Sequence, residues 1–277
     1  TFWKTIETID PSLPKRQFSN KTVMRIVKNQ SVIAMACCRN VHRFLPVFRR
    51  NVERIVSVFK DYKILLGESD SSDRTLSYLY NWSLSNKNVI VQSYAQMGFF
   101  SKRAQRIAHC RNSLITLAKN KSYFYKASYY LVMDVDVTSN DVLSLENFLS
   151  NFEYPMQQWA AMTATQVSEY YDIWALRTTL YPYDCWEMVK KNTPFLFDLK
   201  PLTKKFISIH QKPIPREHPL IEVDSSFGGF GLYSTKYLHS CKYSGYEGYE
   251  LCEHVSFNKC VKKNSGRIFI NPRFQIA

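Results

Sequence analysis

Apolar positions along the first half of the chain alternate between two rhythms. The run "SVIAMACC" (31–38) is continuously apolar and β-favouring, which predicts a buried strand. Residues 39–59 then set Phe44, Val47, Phe48, Val52, Ile55, Val56 and Phe59 at helical spacing. The cycle repeats with a strand from 62 that ends in the acidic, serine-rich loop "GESDSSDRT" (67–75), a helix over 74–86 and a strand over 88–94. A long helix over 102–119 and a strand over 129–137 close the series. Strands alternating with helices predict an α/β fold with a mainly parallel sheet covered on both faces. In such sheets ligands sit beyond the carboxyl ends of the strands. Arg39, Glu68, Asp70, Asp134 and Asp136 all fall at those ends.

The second half is less periodic. Residues 157–166 read as a strand, 170–177 as a turn or strand, and 182–219 hold six prolines, which predicts loop and short helices. A glycine-bearing turn runs into a short strand over 221–234, a helix spans 246–263 and a last strand spans 266–274. Residues 1–30 read as a polar lead-in followed by a short helix. The length suits one domain, with a nucleotide-binding half over 31–137 and an acceptor-binding, catalytic half over 138–277.

Composition narrows the partners. The net charge is +14, spread along the chain without a run of five or six basic residues. That favours an anionic small molecule or a membrane surface over a nucleic acid, for which no basic arm is present. Seven cysteines include no C-x-x-C pair; Cys37 reads as an ordinary strand-end residue, and a reducing, cytoplasmic compartment is the simpler reading. No stretch is apolar and long enough to span a bilayer. The chain starts at Thr1, so a trimmed anchor, and with it a Golgi or ER lumenal location, stays open.

The sharpest motif is Asp134-Val135-Asp136 at the end of an apolar strand. Residues two apart in a strand project to one side, so two bare carboxylates would repel. A divalent cation with hard oxygen ligands, Mg²⁺ or Mn²⁺, removes the repulsion and can bridge to a diphosphate. The bland alternative is a solvated strand end.

With that strand fourth in an α/β series, residues 31–260 resemble the GT-A class of nucleotide-sugar glycosyltransferases. "ACCRN", "GESDSSDRT", "AQRIAHCRN" and "MDVDV" carry the resemblance. The later strings "YYDIW", "FGGFGLY" and "CEHVSFN" are similar to those of the fungal capsule mannosyltransferase-like group and its relatives in large algal viruses. The resemblance implies a GT-A fold and a metal-dependent transfer from a nucleotide sugar to a glycan or glycoprotein acceptor. A UDP-sugar is favoured, UDP-xylose or a UDP-hexose for example, with a guanosine diphosphate sugar as the alternative.

Residue by residue, it implies that Arg39, Glu68 and Asp73 receive base and ribose, while Arg111 and Asp134 approach the donor. Asp136 and Asp134 hold the metal, and either His254 completes its shell or water and phosphate do so while His254 packs as a structural residue. Tyr171, Asp172, Trp174, Arg177 and Gly229 line the sugar and acceptor pocket. Each has a structural alternative: an N-cap for Asp73, a buried ion pair for Arg177, a tight turn for Gly229. Arg103, Arg106 and Arg111 share one helix, but the last two lie five apart, so the resemblance favours Arg111, with Asn112 beside it. An inverting transfer needs a carboxylate base, for which Glu253 and Asp224 are candidates. A sugar nucleotidyltransferase is disfavoured because the loop after the first strand lacks glycine. A non-catalytic nucleic-acid binder would leave the clustered carboxylates unexplained.

Overall fold

The computed structural model describes residues 10–94, 97, 99–137, 143–193 and 198–276. Eight strands form one sheet in the order β3-β2-β1-β4-β7-β5-β8-β6. They are β1 (Ser31–Cys38), β2 (Asp61–Glu68), β3 (Val89–Ser93), β4 (Tyr129–Met133), β5 (Ala161–Thr165), β6 (Ile221–Val223), β7 (Phe230–Ser234) and β8 (Ile268–Gln275). β1, β2, β3 and β4 pair in parallel, as the alternating pattern predicts. β7 runs antiparallel between β4 and β5, and β6 runs antiparallel to β8, so the sheet is mostly parallel with two reversed strands. The helices are α1 (Asn20–Val27), α2 (Leu45–Val56), α3 (Thr75–Ser85), α4 (Arg103–Asn120), α5 (Tyr123–Lys126), α6 (Leu145–Leu149), α7 (Cys185–Asn192), α8 (Lys200–Phe206) and α9 (Glu253–Lys263). This is the GT-A architecture.

Strand parity divides the core into two layers. On β4, Tyr130 and Val132 pack on the side of α4 with Ala108, Cys110 and Leu114, whereas Tyr129, Leu131 and Met133 pack on the opposite layer. On β1, Ile33 and Met35 face α4, while Val32, Ala34 and Ala36 face away. Carrying this period of two past the end of β4 puts Asp134 and Asp136 on the α4 side. β4 ends at Met133 rather than at 137, but the Asp134 amide still donates to the Gly229 carbonyl at 2.9 Å. Gly229 has φ of +90°, and a Cβ there would meet Val137 Cγ1 at 2.9 Å, so glycine lets this backbone brace the aspartates.

Of the two readings open for residues 170–177, the turn holds: their one ladder contact is the Arg177–Ser225 bridge. The reading of the cysteines changes. Four cysteines are paired, Cys37–Cys110 and Cys241–Cys260. The partners are 73 and 19 residues apart, so no short spacing could reveal them. Disulfides persist in oxidising surroundings, so the cysteine-based ground for a reducing, cytoplasmic compartment falls away. No helix among the described residues is long and apolar enough to cross a membrane.

Candidate functional site

Two adjoining cavities of about 260 Å³ each open at the carboxyl ends of β1, β2 and β4. The first is walled by the β1 end, including Arg39, by Asp134 and Asp136, and by α4. From α4 it takes Arg103, Arg106, Ile107, Cys110 and Arg111, one face at positions i, i+3, i+4, i+7 and i+8. All three arginines therefore line it, where the spacing of Arg106 and Arg111 argued against all three facing the ligand and the resemblance favoured Arg111. Arg39 and Arg103 are exposed and have no ion-pair or hydrogen-bond partner among the described residues. Arg106 donates to the Phe100 carbonyl at 2.7 Å.

The second cavity shares Arg103, Ile107, Arg111 and Asp134 with the first. Its own wall includes Tyr171, Asp172, Trp174, Trp186, Glu253 and His254. Trp186, 47% exposed, had no motif around it to mark it in the sequence.

Arg111 joins the two cavities. Its side chain is buried, and its guanidinium donates to Asp134 Oδ1 at 2.9 Å and ion-pairs with Glu253. It also contacts His254 Nε2 and lies against the rings of Phe227 and Tyr243, 5.1 and 5.4 Å from their centroids. Burial works against its charge, but Glu253 and Asp134 outweigh this and raise its pKa. Partial loss of solvent raises the Asp134 carboxyl above the usual carboxylate range, and Arg111 opposes the rise. Burial and the neighbouring Arg111 hold His254 well below the usual imidazole range, so the ring is neutral. His254 stacks on Phe227, with centroids 3.6 Å apart, and its Nδ1 has no hydrogen-bond partner among the described residues. Burial raises Asp172 against the amides of Gly228 and Ala175, which donate to it.

Several expected site residues lie elsewhere or have other work. Glu68 is buried, and its carboxylate accepts from the Ser71 amide at 3.0 Å and the Ser93 hydroxyl at 2.8 Å. Asp73 accepts from the amides of Thr75 and His42, tying the start of α3 to the loop after β1. Neither lines the first cavity. Asn112 exchanges two 2.8 Å hydrogen bonds with the Tyr243 backbone. Arg177 forms a buried ion pair with Asp184 at 2.8 Å, its structural alternative, and Trp174 Nε1 donates to the same carboxylate at 3.0 Å. Asp224 pairs with Lys262 in a separate groove of about 460 Å³, so it does not join Glu253. His254 lines the second cavity, while Asp136 lines the first.

Asp136 is exposed and its carboxylate has no hydrogen-bond or ion-pair partner among the described residues. Asp134 offers a second hard oxygen beside it, its side chain 38% exposed. Among the described residues no three His, Cys, Asp or Glu side chains form a closed metal cage. The two aspartates fit a cation completed by a ligand's oxygens and water, and His254 does not complete the set.

No family model and no curated protein matches this sequence. Among solved structures, the mannosyltransferase PcManGT from Pyrobaculum calidifontis, in complex with GDP-Man and Mn²⁺, superposes with a TM-score of 0.53 at 10% identity. The match covers 99% of this chain and 62% of that one, so this chain spans less than two thirds of it. TarS of S. aureus gives 0.48 at 11% identity, covering 87% of this chain and 57% of that one. M. tuberculosis glucosyl-3-phosphoglycerate synthase gives 0.45 at 9%, covering 92% and 73%. At 10% identity the likeness to the Pyrobaculum enzyme establishes the fold alone.

Proposed function

We propose that the protein is a metal-dependent glycosyltransferase that moves a sugar from a nucleotide donor to a hydroxyl of a glycan acceptor. One observation carries the reading: Asp134 and Asp136 open into a cavity that also presents Arg39, Arg103, Arg106 and Arg111. Carboxylates beside Arg39 and Arg103, which have no side-chain partner among the described residues, suit a nucleoside diphosphate with its cation, since these arginines can grip phosphate oxygens and the acids need a counter-charge. Asp136 and Asp134 would hold Mn²⁺ or Mg²⁺, which when bound supplies charge stabilisation to the departing diphosphate. The GDP-Man and Mn²⁺ bound by the Pyrobaculum enzyme agree with this class of donor. The uridine donors expected from the sequence, UDP-xylose or a UDP-hexose, remain the first to try.

The second cavity would take the acceptor. Tyr171, Trp174 and Trp186 offer faces for the C–H surface of a sugar ring, and Asp172 offers a carboxylate for its hydroxyls. Glu253 serves as the base. One of its oxygens is fixed by Arg111 and the other accepts no hydrogen bond from a described residue. It removes the acceptor hydroxyl proton as that oxygen attacks the anomeric carbon in line, which inverts the centre. The test is nucleoside diphosphate release from a panel of UDP- and GDP-sugars with Mn²⁺ and glycan acceptors. Release that requires Mn²⁺ and disappears in Asp136→Ala is expected. Release in Asp136→Ala at the wild-type rate would remove the basis of the proposal.

A further inference from the structure

We infer that the Cys37–Cys110 disulfide is a positioning element of the first cavity, clamping the arginine face of α4 against the end of β1. Both cysteines line that cavity. Cys37 is the penultimate residue of β1 and Cys110 sits one residue before Arg111. The bridge is thus a covalent contact on the same helix face that presents Arg103, Arg106 and Arg111.

Electrostatics explains why a clamp is needed. The start of α4 carries no acidic residue of its own in the first turn, and among the described residues the one carboxylate that reaches it is Glu250, which accepts from the Ala104 amide at 3.1 Å. Arg103 and Arg106 instead add positive charge to the positive end of the helix dipole. Arg39 faces them across the cavity without a partner among the described residues. Arg39, Arg103 and Arg106 place like charges around one cavity, offset only in part by Asp134 and Asp136, so the spacing of α4 from β1 sets how closely they meet an anion. A disulfide holds them at a fixed spacing, so a diphosphate meets an already assembled cluster. The neighbouring strand leaves room for it: a Cβ on Gly67 would lie 2.5 Å from Cys110 Sγ. The second bridge, Cys241–Cys260, lines none of the three cavities described above and serves as its matched control.

The ligand's identity rests on the glycosyltransferase reading; the clamp itself does not. The test compares C37A/C110A with C241A/C260A. Affinity for UDP and GDP with Mn²⁺ is read by calorimetry, and amide exchange is followed over residues 103–111. In C37A/C110A alone, affinity is expected to fall about tenfold or more and exchange to rise, because small displacements of positioning groups are costly. Unchanged affinity and exchange in C37A/C110A overturn the clamp, as does an equal effect in both variants. A wild-type protein that binds neither nucleotide sinks the glycosyltransferase reading, while the exchange comparison still decides the clamp.

Should C37A/C110A not fold, C241A/C260A is treated with a dithiol. The remaining S–S bond breaks, each sulfur gains a proton and an electron, and the dithiol closes to its own disulfide. Loss of affinity and of protection on reduction, with recovery on reoxidation, supports the clamp; indifference to reduction overturns it.

Discussion

Asp136 and Arg111 stand at opposite extremes of burial, and their substitutions should separate function from stability. Asp136 is exposed and unpartnered among the described residues, so Asp136→Ala should abolish transfer while shifting unfolding free energy by no more than about 0.5 kcal/mol. Arg111 neutralises Glu253 and Asp134 from a buried position. Arg111→Met leaves two carboxylates uncompensated and should cost about 3–5 kcal/mol in denaturant unfolding. Arg111→Lys should recover little, because one ammonium cannot reproduce a planar fork shared among several partners. Asp224→Ala should keep turnover within about twofold, since its pair with Lys262 is half exposed and away from both cavities. These contrasts show what was legible. The placement of Asp134 and Asp136 follows from a local period of two, so the sequence alone could give it. The partners of Asp224, Arg177 and Cys37 come from elements packed together across the fold, and no local pattern encodes them.

At the scale of elements, the wall beside the second cavity depends on one carboxylate at the start of α7. Asp184 accepts from the amides of Trp186 and Glu187 as the helix N-cap, and also from Trp174 Nε1 and Arg177. It fixes Trp174 and Trp186 relative to each other and satisfies a buried guanidinium. Asp184→Ala removes a cap and a buried ion pair together. It should destabilise the fold by about 3–5 kcal/mol, read by chemical denaturation, and raise the acceptor KM more than the donor KM. The string at 170–177, taken from the sequence as one sugar-binding unit, divides accordingly. Tyr171 and Asp172 line the second cavity, Trp174 lines it while anchored to Asp184, and Arg177 is structural. Element order in the first half was readable because each strand and helix repeats its own period. The second half was harder to read because short strands β6 and β7 run against their neighbours between irregular segments.

For the whole molecule, the charge of +14 and the four arginines of the first cavity act in the same direction. Under the proposed function, a long-range positive field would raise the local concentration of a diphosphate, and the cavity would then hold it at short range. Salt separates the two contributions, because the screening length is about 8 Å at physiological ionic strength and shrinks further as salt is added. The steering component and the exposed Arg39 and Arg103 contacts should weaken steadily with salt. The buried Arg111 cluster, shielded from ions, should not. Donor KM is therefore expected to rise several-fold between about 0.05 and 0.5 M NaCl while kcat changes little, and the KM of an uncharged glycan acceptor should stay flat. Arg103→Gln should raise donor KM at low salt and flatten its salt dependence, since it removes an exposed cation shared by both cavities. A donor KM indifferent to salt in the wild-type protein would mean that the positive surface serves some partner other than the nucleotide.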